Sequence, residues 1–123
     1  TEQELFEGLE ATGNTVMRPY CAKHGVTASI NRFRTNLYIK TVDYQDGCGM
    51  HEDNSLVGCL TLLLYMEDSD GATEFKRTGE RVVSERNKAI IFPSNESHQT
   101  ISHTNVLYRM NVNVNFFKSY DKA

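Results

Sequence analysis

The stretch from Leu107 to Phe117 reads LYRMNVNVNFF, and its alternation is strict. In an extended chain successive side chains point to opposite faces. Tyr108, Met110, Val112, Val114 and Phe116 therefore share one face, and Arg109, Asn111, Asn113 and Asn115 share the other. The apolar face calls for a second layer to pack against. A face of one arginine and three asparagines enters a dry core only if its donors and acceptors find partners. It therefore meets solvent or lines a polar pocket.

The segments before this strand have the same texture. Asn36 to Tyr44 is rich in β-branched and aromatic residues and reads as a strand. Asp46-Gly47-Cys48-Gly49 is a turn, and Leu56 to Met66 is a nearly continuous apolar run, as expected of a strand covered on both faces. Ala72 to Phe75, Arg81 to Val83 and Ala89 to Phe92 read as short strands, the first preceded by a loop from Glu67 to Gly71. Helical signals are confined to the first fifth of the chain. Thr1 and Glu4 form a capping box ahead of Leu5, Phe6 and Leu9, and a second short helix is expected from Pro19 to Gly25. Seven or eight short antiparallel strands with one polar interior predict a mainly β fold, a double-stranded β-helix (jelly-roll) of the cupin type. The expected organisation is one domain over 1–123, with a helical brace at 1–28 and the jelly-roll core at 29–117.

Composition narrows the function classes. Lys+Arg 13 against Asp+Glu 16 gives a net charge of -3, without the basic stripe of a nucleic-acid surface. No apolar run reaches the roughly 18 residues of a membrane span, and no signal peptide opens the sequence. Cys21, Cys48 and Cys59 are an odd number without C-x-x-C spacing, so a reducing, cytoplasmic setting is expected rather than a disulfide framework.

The chemistry-bearing residues lie around the predicted turns. His51-Glu52-Asp53 follows the glycine-rich turn, and alternation sends His51 and Asp53 to one face. His98 lies 45 positions beyond Asp53, and Arg109 lies 11 beyond His98. Two imidazoles and one carboxylate in that order suit a facial triad for Fe(II), which leaves the opposite coordination positions open. Arginine adds a planar two-pronged donor for a carboxylate. Each element has a plain reading as well. An H-x-D is commonly a surface histidine beside a turn aspartate, and Asn95 to His98 reads as a polar loop. His103 competes for the third-ligand role, and His24 sits in the helical region. Cys48, Glu52, Lys76, Arg77, Arg86 and Lys88 read as ordinary surface residues, and Cys59 as a small core residue. Tyr38 and Lys40 share parity with Tyr44, which puts one of them at the pocket mouth.

Taken together, Tyr44-Gln45-Asp46-Gly47, His51-Glu52-Asp53, the strand from Leu60 to Met66, Gly71 to Phe75, Ala89 to Pro93, His98 and Tyr108-Arg109 resemble the Fe(II)/2-oxoglutarate-dependent dioxygenases, most of all the prolyl-hydroxylase-like branch. The likeness runs from about residue 36 to 117, two-thirds of the chain, with its elements in the family's order. It implies that His51, Asp53 and His98 ligate Fe(II) and that Arg109 pairs with the distal carboxylate of 2-oxoglutarate. It further implies that Tyr44 and Thr61 lie against that acid, with O2 as co-substrate and ascorbate as an accessory reductant. Lys40 or Arg34 would be the next anchors for the acid should Arg109 lie elsewhere.

Three departures matter. Arginine replaces the lysine usual in that branch, Gly71-Ala72 replaces Gly-Gly, and the N-terminal helices are short, leaving apolar surface for a partner subunit or further sequence. Asp53 favours hydroxylation over the halide transfer of relatives with a small residue there. The implied activity is hydroxylation of an unactivated C–H, with a prolyl residue of a peptide or protein as first substrate. A free amino acid or other small metabolite is the alternative substrate. Rival classes are a non-catalytic cupin-like binding module and a nucleic-acid demethylase, the latter disfavoured by the acidic balance. The expected partners are thus the substrate and a second copy of the chain, with neither nucleic acid nor membrane.

Overall fold

A computed structural model describes residues 15–120. Residues 15–24 form a helix, α1, followed by seven strands: β1 Val26–Ile39, β2 Leu60–Tyr65, β3 Ala72–Phe75, β4 Arg81–Val83, β5 Ala89–Pro93, β6 His98–Ile101 and β7 Tyr108–Tyr120. They build two antiparallel sheets, one ordered β1-β7-β2-β5 and the other β4-β3-β6. The architecture is mainly β, and the sheets do not close on each other. No described helix is long and apolar enough to cross a membrane.

The alternation of β7 sets up two separate cores. Val112, Val114 and Phe116 face outward with Leu62 and are covered by Met17 of α1, with Val16, Tyr20 and Cys21 packed around them. On the inner side Leu63, Tyr65, Phe75 and Phe92 form a second cluster between the sheets. Continuous apolar sequence in β2 thus reflects burial on both faces, as its texture predicts. Beyond the reach of α1 the outer face stays bare: Leu37, Ile39 and Tyr108 are exposed, with Leu37 opposite Met110 and Ile39 opposite Tyr108.

Several boundaries differ from the sequence reading. The helix is already formed at residue 15, so Pro19 lies within it, and it ends at Gly25 in the left-handed region, φ 60°. Packing of Val16, Met17 and Tyr20 on the sheet outweighs the one backbone bond that proline removes. The capping box at Thr1 and Glu4 lies outside the described residues. β1 begins ten residues before Asn36 and stops at Ile39. Its polar first half pairs with β7 through a bulge between Ile30 and Arg32, and edge pairing tolerates polar side chains. Past Ile39 the chain turns away, and Lys40 and Thr41 bond to the carbonyls of Leu107 and His103. Tyr44 is therefore in a loop. Residues 56–59 are a turn, not strand, because Gly58 takes a positive φ of 85°. The sequence reading missed β6, hidden in polar residues that pair with β3.

Candidate metal centre and anion pocket

β6 carries a further segment on its free edge. His51 and His98 face each other in an antiparallel bridge, exchanging backbone hydrogen bonds of 2.8 and 3.0 Å. The ring centroids are 4.5 Å apart. Each imidazole is oriented by a backbone carbonyl two residues back. Nδ1 of His51 lies 3.2 Å from the Gly49 oxygen, and Nδ1 of His98 lies 2.8 Å from the Glu96 oxygen. When Nδ1 donates, Nε2 is left with its lone pair free, and both Nε2 atoms turn toward Asp53.

Asp53 is turned inward because its own N–H and that of Asn54 bond to the Ser94 carbonyl at 2.9 and 3.1 Å. Its side chain is 1% exposed. Oδ2 accepts from Thr61 Oγ1 at 3.0 Å and from Asn113 Nδ2 at 3.2 Å. Asn115 in turn donates to Thr61 at 2.8 Å, so two inward residues, one of β2 and one of β7, hold the carboxylate oxygen and a third braces Thr61. Oδ1 has no partner with hydrogen-bond geometry, although it lies 3.6 Å from His51 Nε2, 3.3 Å from His98 Nε2 and 3.7 Å from Arg34 Nη2. Neighbouring ligands on a metal with bonds of about 2.1 Å sit about 3 Å apart, and opposite ones about 4.2 Å. The His98–Asp53 separation of 3.3 Å is closer to the former, and the His51–Asp53 separation of 3.6 Å lies midway between the two. Among the described residues, His51, Asp53 and His98 form the one group of this kind, with ligand atoms within 4.8 Å of one another. His103 is fully buried outside it.

The electrostatics match a site held ready for a cation. Burial alone pushes Asp53 up, but the contacts from His98, Asn113 and Thr61 outweigh it and hold the carboxyl far below its ordinary range. Burial pushes His98 down, yet Asp53 and the Glu96 carbonyl overcome this and raise it, with Arg34 opposing. Without a metal, Asp53 thus favours a proton on His98 where a metal ion would sit.

Arg109 occupies the same inner face of β7, four residues or about 13 Å of strand from Asn113. It is fully buried; Nη2 donates to the Ile101 carbonyl at 3.3 Å, while Nε and Nη1 have no partner. Burial draws its pKa below the ordinary arginine value. The guanidinium carbon lies 5.0 Å from the Tyr38 ring centroid. A Cβ on Gly71 would come within 2.8 Å of it, which is why a glycine opens β3 here. Tyr65 is also buried, its hydroxyl paired with Thr73 at 2.8 Å; burial raises its pKa, and Thr73 and Arg109 partly offset that.

Six buried side-chain polar atoms among the described residues lack a hydrogen-bond partner, and four belong to Arg34, Asp53 and Arg109. Native interiors leave few such atoms, so their concentration here makes this interior a candidate place for ligands. An orphaned carboxylate oxygen between two imidazoles fits a divalent cation. Two orphaned guanidinium donors fit an anion. Of the residues singled out from sequence, His51, Asp53 and His98 come together and Arg109 shares their interior. Thr61 lies against Asp53, and Tyr44 is exposed in its loop. Asn113, Asn115, Ser94, Tyr65 and the pocket-facing Tyr38 complete the setting; strand parity with Arg109, Thr61 and Arg34 is the signal that finds all but Ser94. A groove of about 690 Å³ between α1, β2 and β5 lies on the other side of the large sheet, and none of these residues lines it. No protein-family model matches the sequence, and no characterised protein aligns with it significantly.

Proposed function

We propose that the protein is an Fe(II)- and 2-oxoglutarate-dependent dioxygenase that hydroxylates an unactivated C–H, with a prolyl residue of a peptide or protein as the first substrate class, and that the two facing sheets are a double-stranded β-helix. One observation carries this reading. The same polar interior leaves a buried carboxylate oxygen and a buried guanidinium unsatisfied, complementary to a metal ion and to a carboxylate co-substrate. A binding module has no need of both.

His51, Asp53 and His98 would hold Fe(II), and Arg109 would take the distal carboxylate of 2-oxoglutarate through Nε and Nη1. Bound there, the pair supplies O2 activation, turning C–H into C–OH with succinate and CO2 as co-products. The chain's residues do the rest. Gly49 and Glu96 carbonyls fix both imidazoles, and Thr61 and Asn113 hold Asp53 Oδ2 so that Oδ1 stays available. Phe92 packs edge-on to His98 at 4.8 Å and, with Phe75, keeps water from the inner side. Ascorbate would act as an accessory reductant.

The test is succinate release from 2-oxoglutarate in the presence of proline-containing peptides. Formation that depends on Fe(II) and disappears in Asp53→Ala is the expected result. Metal binding without any succinate would leave a non-catalytic module.

A further inference from the structure

Two arginines reach the polar interior, and they differ in one respect. Arg109 is sealed, whereas Arg34 is 34% exposed at its side chain. Arg34 sits on β1 opposite Asn113 and points inward beside the metal centre, its Nη2 3.7 Å from Asp53 Oδ1. Its Nε is buried without a partner. Arg34 is thus the cation that an incoming molecule meets beside the candidate ligands.

Charge decides what it meets. Without a metal, Asp53 is the ionic partner of Arg34. A divalent ion bound to Asp53 takes over that carboxylate and leaves Arg34 facing a second cation. A dianionic co-substrate between the metal and Arg109 then neutralises the sealed end of the pocket. One positive charge remains, on Arg34, with an orphaned donor of its own. A half-buried guanidinium in that position calls for an anion, and its planar fork is matched by a carboxylate.

We infer that Arg34 anchors a carboxylate belonging to the primary substrate, so that the carbon hydroxylated lies close to that carboxylate. This rests on the dioxygenase reading above and narrows it. An internal prolyl residue has no such group, whereas a chain-terminal residue or a free amino acid does. The two sources share the chemistry and are separated by the test.

The experiment uses the Mn(II)-loaded protein with saturating 2-oxoglutarate and reads paramagnetic broadening of probe proton resonances. The probes are L-proline with L-prolinamide, and glycyl-L-proline with glycyl-L-prolinamide, each pair differing in the carboxylate. At least one acid should bind about tenfold or more tightly than its amide. Which acid does so identifies the free or the chain-terminal source. Arg34→Gln should abolish the preference, Arg34→Lys should keep part of it, and 2-oxoglutarate affinity should move less than about twofold in either. Acid and amide alike in affinity, or both failing to bind, overturns the inference while the dioxygenase reading stands. So does loss of 2-oxoglutarate affinity in Arg34→Gln, which would give Arg34 to the co-substrate. Failure of the wild-type protein to bind Mn(II) or 2-oxoglutarate overturns the dioxygenase reading and this inference with it.

Discussion

The two faces of β7 are built to opposite standards. Outward, Val112, Val114 and Phe116 pack with Leu62 and Met17 into one apolar cluster beneath α1. Inward, Arg109, Asn111, Asn113 and Asn115 are just as buried, but Arg109 and the Asp53 carboxylate that Asn113 holds keep unsatisfied atoms. One face lowers the free energy of the fold; the other holds charge in place at a cost to it. The difference teaches that burial alone does not separate core from site, and that the chemistry of the buried groups has to be read with it.

The outer face should break stability and nothing else. Phe116→Ala removes a fully buried ring that meets Tyr20 edge-on at 5.6 Å, and should cost about 3–5 kcal/mol. Denaturant unfolding measures the loss, while Mn(II) affinity of the protein that remains folded stays unchanged. A large fall in that affinity would mean the two faces are not independent.

Arg109→Leu should do the reverse. It removes a buried charge with two unpaired donors, so unfolding free energy should hold steady or rise. Affinity for 2-oxoglutarate, measured by calorimetry on the metal-loaded protein, should fall tenfold or more, at about 1.4 kcal/mol per decade. Unchanged affinity would place the acid elsewhere.

Neighbouring residues give the closest contrast. Asn113→Ala removes one of the two hydrogen bonds to Asp53 Oδ2 and should weaken Mn(II) binding about 10–100-fold, as loss of a ligand's supporting hydrogen bond does. Val114→Ala, one position on, should leave Mn(II) binding intact and cost about 1–3 kcal/mol in stability. Similar metal affinities in the two variants would deny Asn113 its supporting role.

The sequence made one half of this comparison easier to read than the other. Alternation in β7, the apolar run of β2 and the three short strands β3 to β5 were legible because periodicity and β-branched residues report directly on the pleat. The first half of β1 and all of β6 were not, since their polar residues gain strand structure from pairing and not from propensity. At the site, His51, Asp53, His98 and Arg109 stood out by residue type and order. Asn113 and Thr61 as holders of Asp53, and Arg34 as its ionic partner, depend on contacts across 60, 8 and 19 positions that no local pattern encodes.

Proton binding gives the smallest and sharpest test of the inner face. In the metal-free protein His98 is raised above the ordinary imidazole value of about 6.5 by Asp53 and the Glu96 carbonyl, against the effect of burial. A raised group stabilises the fold fully below its unfolded value, and that contribution is lost as pH rises through the folded one. Metal-free protein should therefore lose thermal stability as pH climbs above about 6.5. Metal ligation needs neutral imidazole, so over the same window Mn(II) affinity should climb, by up to about tenfold per pH unit, and then level off. Asp53, held far below its ordinary range, stays charged throughout and adds no slope. Titrating Mn(II) affinity and metal-free melting temperature side by side should show the two curves bending in opposite directions at one pH. Parallel curves, or a flat affinity, would mean that His98 does not exchange its proton for the metal.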